Sequence, residues 1–329
     1  MANNKMKMIR LLEILKESDE ENPVTVRQII EKLDMHGIFA ERKSIYDCIA
    51  VLKDNGYDIN PCEDNKKGYY LGEREFEDWE LKILIDSVWQ TNCLNYNNCK
   101  SITDKIKSMS SINGRKLLDS STPVRKNRKN ATINIQYTID KILKAIHKKR
   151  KIKFQYTEID FELKRKLRNE GLYYIINPYS LVLIDEKYYL ICNYDKYNDL
   201  SFYRVDRITN LEILEDEPIK RVEEVVGANA DLKINEFVDR SFYQYGGQEI
   251  YLTMRCCNRM LDELFDKFGE ELRISNVDEK NIEITVKVLD GDGLYYWILQ
   301  HEDLEVISPE YIRQEVKRKL ENILKLYKK

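Results

Sequence analysis

The sequence predicts an α+β chain of several domains, and three observations carry that expectation. The chain has 329 residues, more than one hydrophobic core ordinarily serves. Apolar residues recur at helical spacing in its first part and alternate at strand spacing over residues 151–208. Strand and helix signals then alternate through residues 249–329. Hydrophobic residues make up 43% and charged residues 34%, a soluble globular profile. No apolar run approaches the roughly 20 residues of a membrane span. Lys5, Lys7 and Arg10 stand where a signal peptide would place its apolar core, so the expected location is the cytoplasm.

The first helix is expected over residues 6–15, with Met8, Leu11, Leu12 and Leu15 on one stripe. A second begins at Thr25, which has capping-box spacing to Gln28. Val26, Ile29, Ile30 and Leu33 then keep the i, i+3, i+4, i+7 pattern. A turn at His36-Gly37 leads to a third helix built on Ile45, Cys48, Ile49 and Leu52, which stops at Asn55-Gly56 because glycine suits a left-handed cap. Tyr57 to Ile59 and Gly68 to Leu71 read as a hairpin with a charged tip. Three short helices followed by a hairpin are the pattern of a winged helix-turn-helix. In that fold the third helix enters the major groove of a duplex. Its leading residues Arg42, Lys43, Ser44 and Tyr46 point away from the apolar stripe, toward base edges. Lys53 and the wing residues Lys66 and Lys67 reach phosphates, which raises affinity without reading sequence. Residues 1–72 nevertheless hold 11 basic and 13 acidic side chains. A winged helix used for protein contacts therefore stays open as the alternative.

Residues 74–118 read as helical, a connector or a dimer seam. Residues 120–130 are polar and basic and read as a linker. Charge is unevenly distributed. Residues 121–170 hold 15 basic and 5 acidic side chains, whereas residues 171–329 hold 21 and 31. A basic centre in a chain of net charge −3 points to a local polyanion site or to a solvated linker.

Residues 137–149 form the next expected helix, with Ile139, Ile142, Leu143 and Ile146 on one face. Strands follow at residues 151–156, 175–183, 187–194 and 201–208. Four pieces here stand in a telling order. They are Ala145-Ile146 through Arg150 to Tyr156, then Asn177-Pro178-Tyr179-Ser180-Leu181, then Tyr188-Tyr189-Leu190 after Asp185-Glu186-Lys187, and finally Phe202 to Ile208. In these pieces the chain resembles the WYL domain of bacterial regulators, a Sm-like or SH3-like small β-barrel named for a Trp-Tyr-Leu triplet after a turn. The resemblance covers about residues 137–215. Tyr188 replaces the tryptophan, and Tyr174 stands where a basic residue often precedes the proline by four places.

The resemblance implies a sensor, with a nucleotide or single-stranded nucleic acid as the effector in some members. The residues suit that chemistry. Arg150, Lys151, Lys153, Arg204 and Arg207 offer cations, and Tyr156, Tyr179 and Tyr189 offer stacking faces. Alternation puts Tyr188 in the core and Tyr189 on the opposite face. Strand tyrosines also serve as cross-strand packing, the lysines 151 and 153 as solvated charges, and Arg204 and Arg207 as partners of Asp206. Both readings stay open for each.

In the last third the order β-α-β-β-α-β, plus a final helix opened by Ser308-Pro309-Glu310, is ferredoxin-like, with Ser308 expected as the cap. The resemblance implies that such an extension aids dimerisation or covers the sensor. The expected domains are thus residues 1–73, 74–136, 137–216 and 217–329. The seven cysteines lack zinc or redox spacing. None of His36, His147 and His301 sits in a metal motif, and nucleophile elbow, P-loop and dinucleotide signatures are missing. No enzyme, metal or cofactor is expected. The expected partners are a double-stranded DNA operator, an effector and a second copy of the chain, with no membrane.

Overall fold

The computed structural model describes residues 2–62, 68–121, 135–227 and 230–328. The chain mixes helix and sheet and divides into two compact units, Met1–Ile133 and Asn134–Lys329.

Unit 1 opens with α1 (Ala2–Lys16), α2 (Val26–Asp34) and α3 (Arg42–Asp54), followed by the antiparallel pair β1 (Ile59–Pro61) and β2 (Tyr69–Leu71). Leu11, Leu15, Ile29, Leu33, Ile45, Ile49, Ile59 and Leu71 share one core, so each stripe read from the sequence faces inward. The capping box forms: Gln28 N donates to Thr25 Oγ1 at 3.2 Å, and Thr25 N donates to Gln28 Oε1 at 2.8 Å. Two orphan N–H groups of α2 are thereby satisfied. The third helix ends at Asp54, Asn55 caps it, and Gly56 follows at φ 90°.

The rest of unit 1 is helical, with α4 (Asp78–Gln90), α5 (Tyr96–Lys107) and α6 (Ile112–Ser121) around Leu81, Ile85, Trp89, Cys99 and Leu118. Arg74 joins this part to α1, donating to Lys16 O at 2.8 Å and to Ser18 O. The basic linker tract lies mostly outside the described residues; Ser120 and Ser121 belong to the end of α6.

Unit 2 begins with α7 (Ile135–Lys148) and the strands β3 (Arg150–Ile159), β4 (Arg165–Leu167), β5 (Tyr173–Ile184), β6 (Lys187–Asn193), β7 (Ser201–Arg204) and β8 (Ile208–Pro218). The hydrogen-bonded order is β4-β3-β5-β6-β7, and β8 pairs with β3. A closed barrel was expected. Among the described residues no ladder joins β7 to β8, so the sheet stays open there. The two strands meet different neighbours. The turn Val205–Arg207 carries the chain straight from β7, which pairs with β6, into β8, which pairs with β3. Side chains tie β7 to β3 and β5 instead. Phe154, Tyr156, Tyr174 and Tyr203 pack with ring centroids 5.3–6.4 Å apart, within the range of favourable aromatic pairs.

Helices α8 (Val222–Val226) and α9 (Ala230–Arg240) come next. They pack on β6 and β7 through Ile191, Leu200, Phe202, Ile234 and Phe237, and the rings of Phe202 and Phe237 stack at 4.7 Å. These two helices were not anticipated, and they overturn one expectation. Tyr189 shares the covered side and is buried against Phe202, while Tyr188 is partly exposed.

The remaining chain is β9 (Gln248–Cys257), α10 (Leu261–Phe268), β10 (Arg273–Val277), β11 (Asn281–Asp290), α11 (Asp292–Ile298), β12 (Leu304–Ser308) and α12 (Glu310–Tyr327). Its antiparallel sheet has the order β10-β11-β9-β12. Leu252, Met254, Ile284, Val286, Leu264, Leu294 and Ile298 form its core. Ser308 does not cap α12, as its spacing suggested. It pairs with Thr253 as the last residue of β12, and Pro309 is the residue before the helix.

Candidate functional site

Two surfaces bring together side chains named from the sequence. The first is the outer face of α3. Burial of Ile45, Cys48, Ile49 and Leu52 forces the remaining positions outward at helical spacing. Arg42, Lys43 and Lys53 are exposed, and Tyr46 is about half exposed. Asp47 and Asp54 share this solvent side. Tyr46 leans its edge on Tyr69 of β2, with centroids 6.4 Å apart. Ser44 departs from expectation. Its hydroxyl accepts a hydrogen bond from Lys7 Nζ, and Lys7 is itself buried. An ammonium taken out of water needs a polar partner, and Ser44 supplies one. Ser44 thus ties α3 to α1 rather than facing outward. Lys66 and Lys67 lie outside the described residues.

The second surface lies at the far end of β3. Arg204 grips Asp206 with two hydrogen bonds, Nε at 3.0 Å and Nη2 at 2.8 Å. Arg165 Nη2 lies 3.7 Å from the same carboxylate, and its Nη1 donates to Asp206 O at 2.9 Å. Arg207 adds a third positive charge beside Asp206. Burial pushes the Asp206 carboxyl up, but hydrogen bonds from Arg204 and the charges of Arg204, Arg165 and Arg207 outweigh it and hold it below the usual range. Three guanidiniums around one carboxylate leave a local positive surplus, the condition for binding an oxyanion. Arg165 was not singled out from the sequence. Its signal was the basic run of residues 164–168, which becomes meaningful only once β4 folds back on β3, pairing Arg165 with Ile159.

The other expected ligand residues separate. Tyr156 is buried, and its hydroxyl accepts from Arg204 N at 3.0 Å. It supports the arginine cluster from beneath, and burial raises its phenol. Lys151 is held by Asp195 at 2.6 Å and Glu217 at 3.7 Å. Lys153 lies 3.6 Å from Glu212 and over the Tyr173 ring at 4.4 Å. Tyr189 faces the covered side described above. Arg150 and Tyr179 line a cavity at the opposite end of β3.

Residues 137–213 match the model of the WYL domain family. No curated protein matches the chain. Among solved structures, the chain is similar to proteasome accessory factor B/C (PafBC) of Arthrobacter aurescens, at 17% identity and a TM-score of 0.30. That alignment covers 98% of this chain and 49% of the other, so this chain spans about half the length of that relative. It is also similar to a CRISPR Cas-related protein, at 12% identity and a TM-score of 0.38, covering 98% of this chain and 85% of that one. Among the described residues no helix is long and apolar enough to cross a membrane, and no cluster of His, Cys, Asp and Glu has the form of a metal site.

Proposed function

We propose that this protein is a cytoplasmic, sequence-specific transcription regulator. Residues 1–73 act as a winged helix-turn-helix, and α3 reads a duplex operator through Arg42 and Lys43. The observation that carries this reading is the exposed pair of cations at the leading end of a helix whose opposite face is locked into a three-helix core. The WYL domain senses a nucleotide or a single-stranded nucleic acid at Arg165, Arg204 and Arg207. The strand order of the last sheet is that of a ferredoxin-like domain, which covers the sensor or pairs two copies. A homodimer on a two-fold site follows the usual logic of such readers. The protein performs no catalysis in this reading.

The test is recovery of bound duplex fragments from a whole genome by the purified chain at physiological salt. A few sharp peaks sharing an inverted repeat are expected, together with their loss in Arg42→Ala/Lys43→Ala. Uniform weak recovery that vanishes as salt rises would sink the reading. One observation favours the alternative of an accessory protein whose winged helix grips another protein. Met35 and Phe39, in the turn before α3, are 83% and 81% exposed. Under that alternative Phe39→Ser abolishes partner capture, and the double alanine variant changes little.

A further inference from the structure

The cavity at the start of β3 has a volume of about 910 Å³ and an unusual lining. Lys148, Lys149, Arg150 and Arg221 bring four cations to it, Tyr179 gives an aromatic wall, and Pro218, Ile219 and Val222 give an apolar one. Lys148 is paired with Glu215 at 2.7 Å. Lys149, Arg150 and Arg221 have no carboxylate partner among the described residues. Four cations against two carboxylates leave the lining net positive. Those two carboxylates are Glu223 and Glu224. They oppose a bare anion but suit a ligand that carries hydroxyls beside its charge, since a carboxylate accepts hydrogen bonds from a ribose diol.

The scaffold around the cavity is fixed. Tyr179 donates its hydroxyl to Lys220 O at 2.9 Å, which holds the ring in place. Lys149 adopts φ 54°, and its carbonyl accepts from Ile219 N at 3.2 Å. Arg150 and Thr157, which touches the arginine cluster, are seven residues apart on one strand. At about 3.3 Å per residue they lie about 20 Å apart, so the cavity is a separate place from the Asp206 cluster.

We propose that this cavity is a second ligand site and takes a phosphate monoester of a hydroxyl-bearing compound, with the phosphate on Lys149, Arg150 and Arg221 and the hydroxyls on Glu223 and Glu224. A sugar phosphate and a nucleoside monophosphate share this chemistry, and Tyr179 separates them because only the second has a ring to stack. The cavity lies between the WYL strands and the first turn of α8, so occupancy ties the sensor to the helices that cover it.

The experiment is calorimetric titration of the full chain with ribose 5-phosphate, uridine monophosphate, uridine and inorganic phosphate. At least one ester is expected to bind more tightly than about 1 mM. Arg221→Gln, at an exposed position, is expected to weaken it about tenfold, as is Arg150→Gln. Tyr179→Leu weakens uridine monophosphate alone if the ring is stacked, and neither ester if the natural class is a sugar phosphate. In an Arg165→Gln/Arg207→Gln background, which removes the nucleotide contacts of the other cluster, an ester still binds, and adding Arg150→Gln or Arg221→Gln still weakens it. The proposal is overturned if neither ester binds. It also fails if inorganic phosphate binds as well as the esters, or if the Arg165/Arg207 variant rather than the Arg150 or Arg221 variant loses the signal. None of these results bears on operator binding by α3, so the two readings fail separately.

Discussion

At the residue scale, the chemistry turns on what each cation is already doing. Lys7 and Ser44, Lys151 and Asp195, and Arg204 and Asp206 show three cations engaged in the fold. The first two pairings were not legible in the sequence, because each joins elements whose contact depends on the packed fold; the third stood there as one of two open readings, and Arg204 does grip Asp206. Residue type was legible; availability was not. Asp206 is the most informative position. Its carboxylate neutralises part of the arginine cluster and stabilises the fold at once, so Asp206→Asn should move two properties in opposite directions. Removing one member of a partly buried pair costs about 1–3 kcal/mol of stability. The same change removes the negative charge beside three guanidiniums and should tighten binding of a short oligonucleotide several-fold. The acid side of the stability profile gives a further check. The carboxyl is held below its usual range, so its stabilising effect is complete above the unfolded value of about 3.9. That effect is lost as pH falls through the lower folded value. The wild type should therefore lose stability more steeply than Asp206→Asn below about pH 4. Parallel acid profiles for the two proteins would show that the cluster does not hold the carboxyl down.

At the element scale, local rules worked wherever local chemistry decides. The stripe Ile45, Cys48, Ile49 and Leu52 defined α3, and the Thr25–Gln28 spacing defined the start of α2. The chain order of strands and helices after residue 248 followed from alternation and turns. Failures came where a neighbour from a distant segment decides. Alternation correctly put Tyr188 and Tyr189 on different sides, but α8 and α9 determine which side is covered, and these helices were not read from the sequence. The open seam between β7 and β8 likewise depends on which strand each one meets, not on its own residues. The cap of α2 can be tested directly. Thr25→Ala removes the acceptor for Gln28 N and should lower the stability of unit 1 by about 1 kcal/mol in denaturant unfolding. Thr25→Ser should restore most of it, since only the hydroxyl matters. A loss in both variants would place the effect in the methyl group and its packing instead.

At the scale of the whole molecule, the distribution of charge makes the reading of α3 quantitative. Residues 1–72 carry a slight acidic excess, while residues 121–170 carry ten more basic than acidic side chains. Two different parts of the chain thus compete as the source of duplex affinity. Each phosphate neutralised contributes about −0.9 to the slope of log affinity against log salt. If Lys53, Lys66 and Lys67 are the phosphate contacts, the slope is about −3 per protomer and about −5 for a dimer on a two-fold site. Lys53→Ala should then make the dimer slope shallower by about 2. Affinity and slope would be measured together by anisotropy on an operator fragment across a salt series. A shallow slope that responds to Lys53 means that few cations hold the backbone and that base contacts from Arg42 and Lys43 carry discrimination, as an acidic domain requires. A slope near −10 that ignores Lys53 would mean that the basic centre grips the duplex through its phosphates. Sequence reading by α3 would then be the wrong account of this protein.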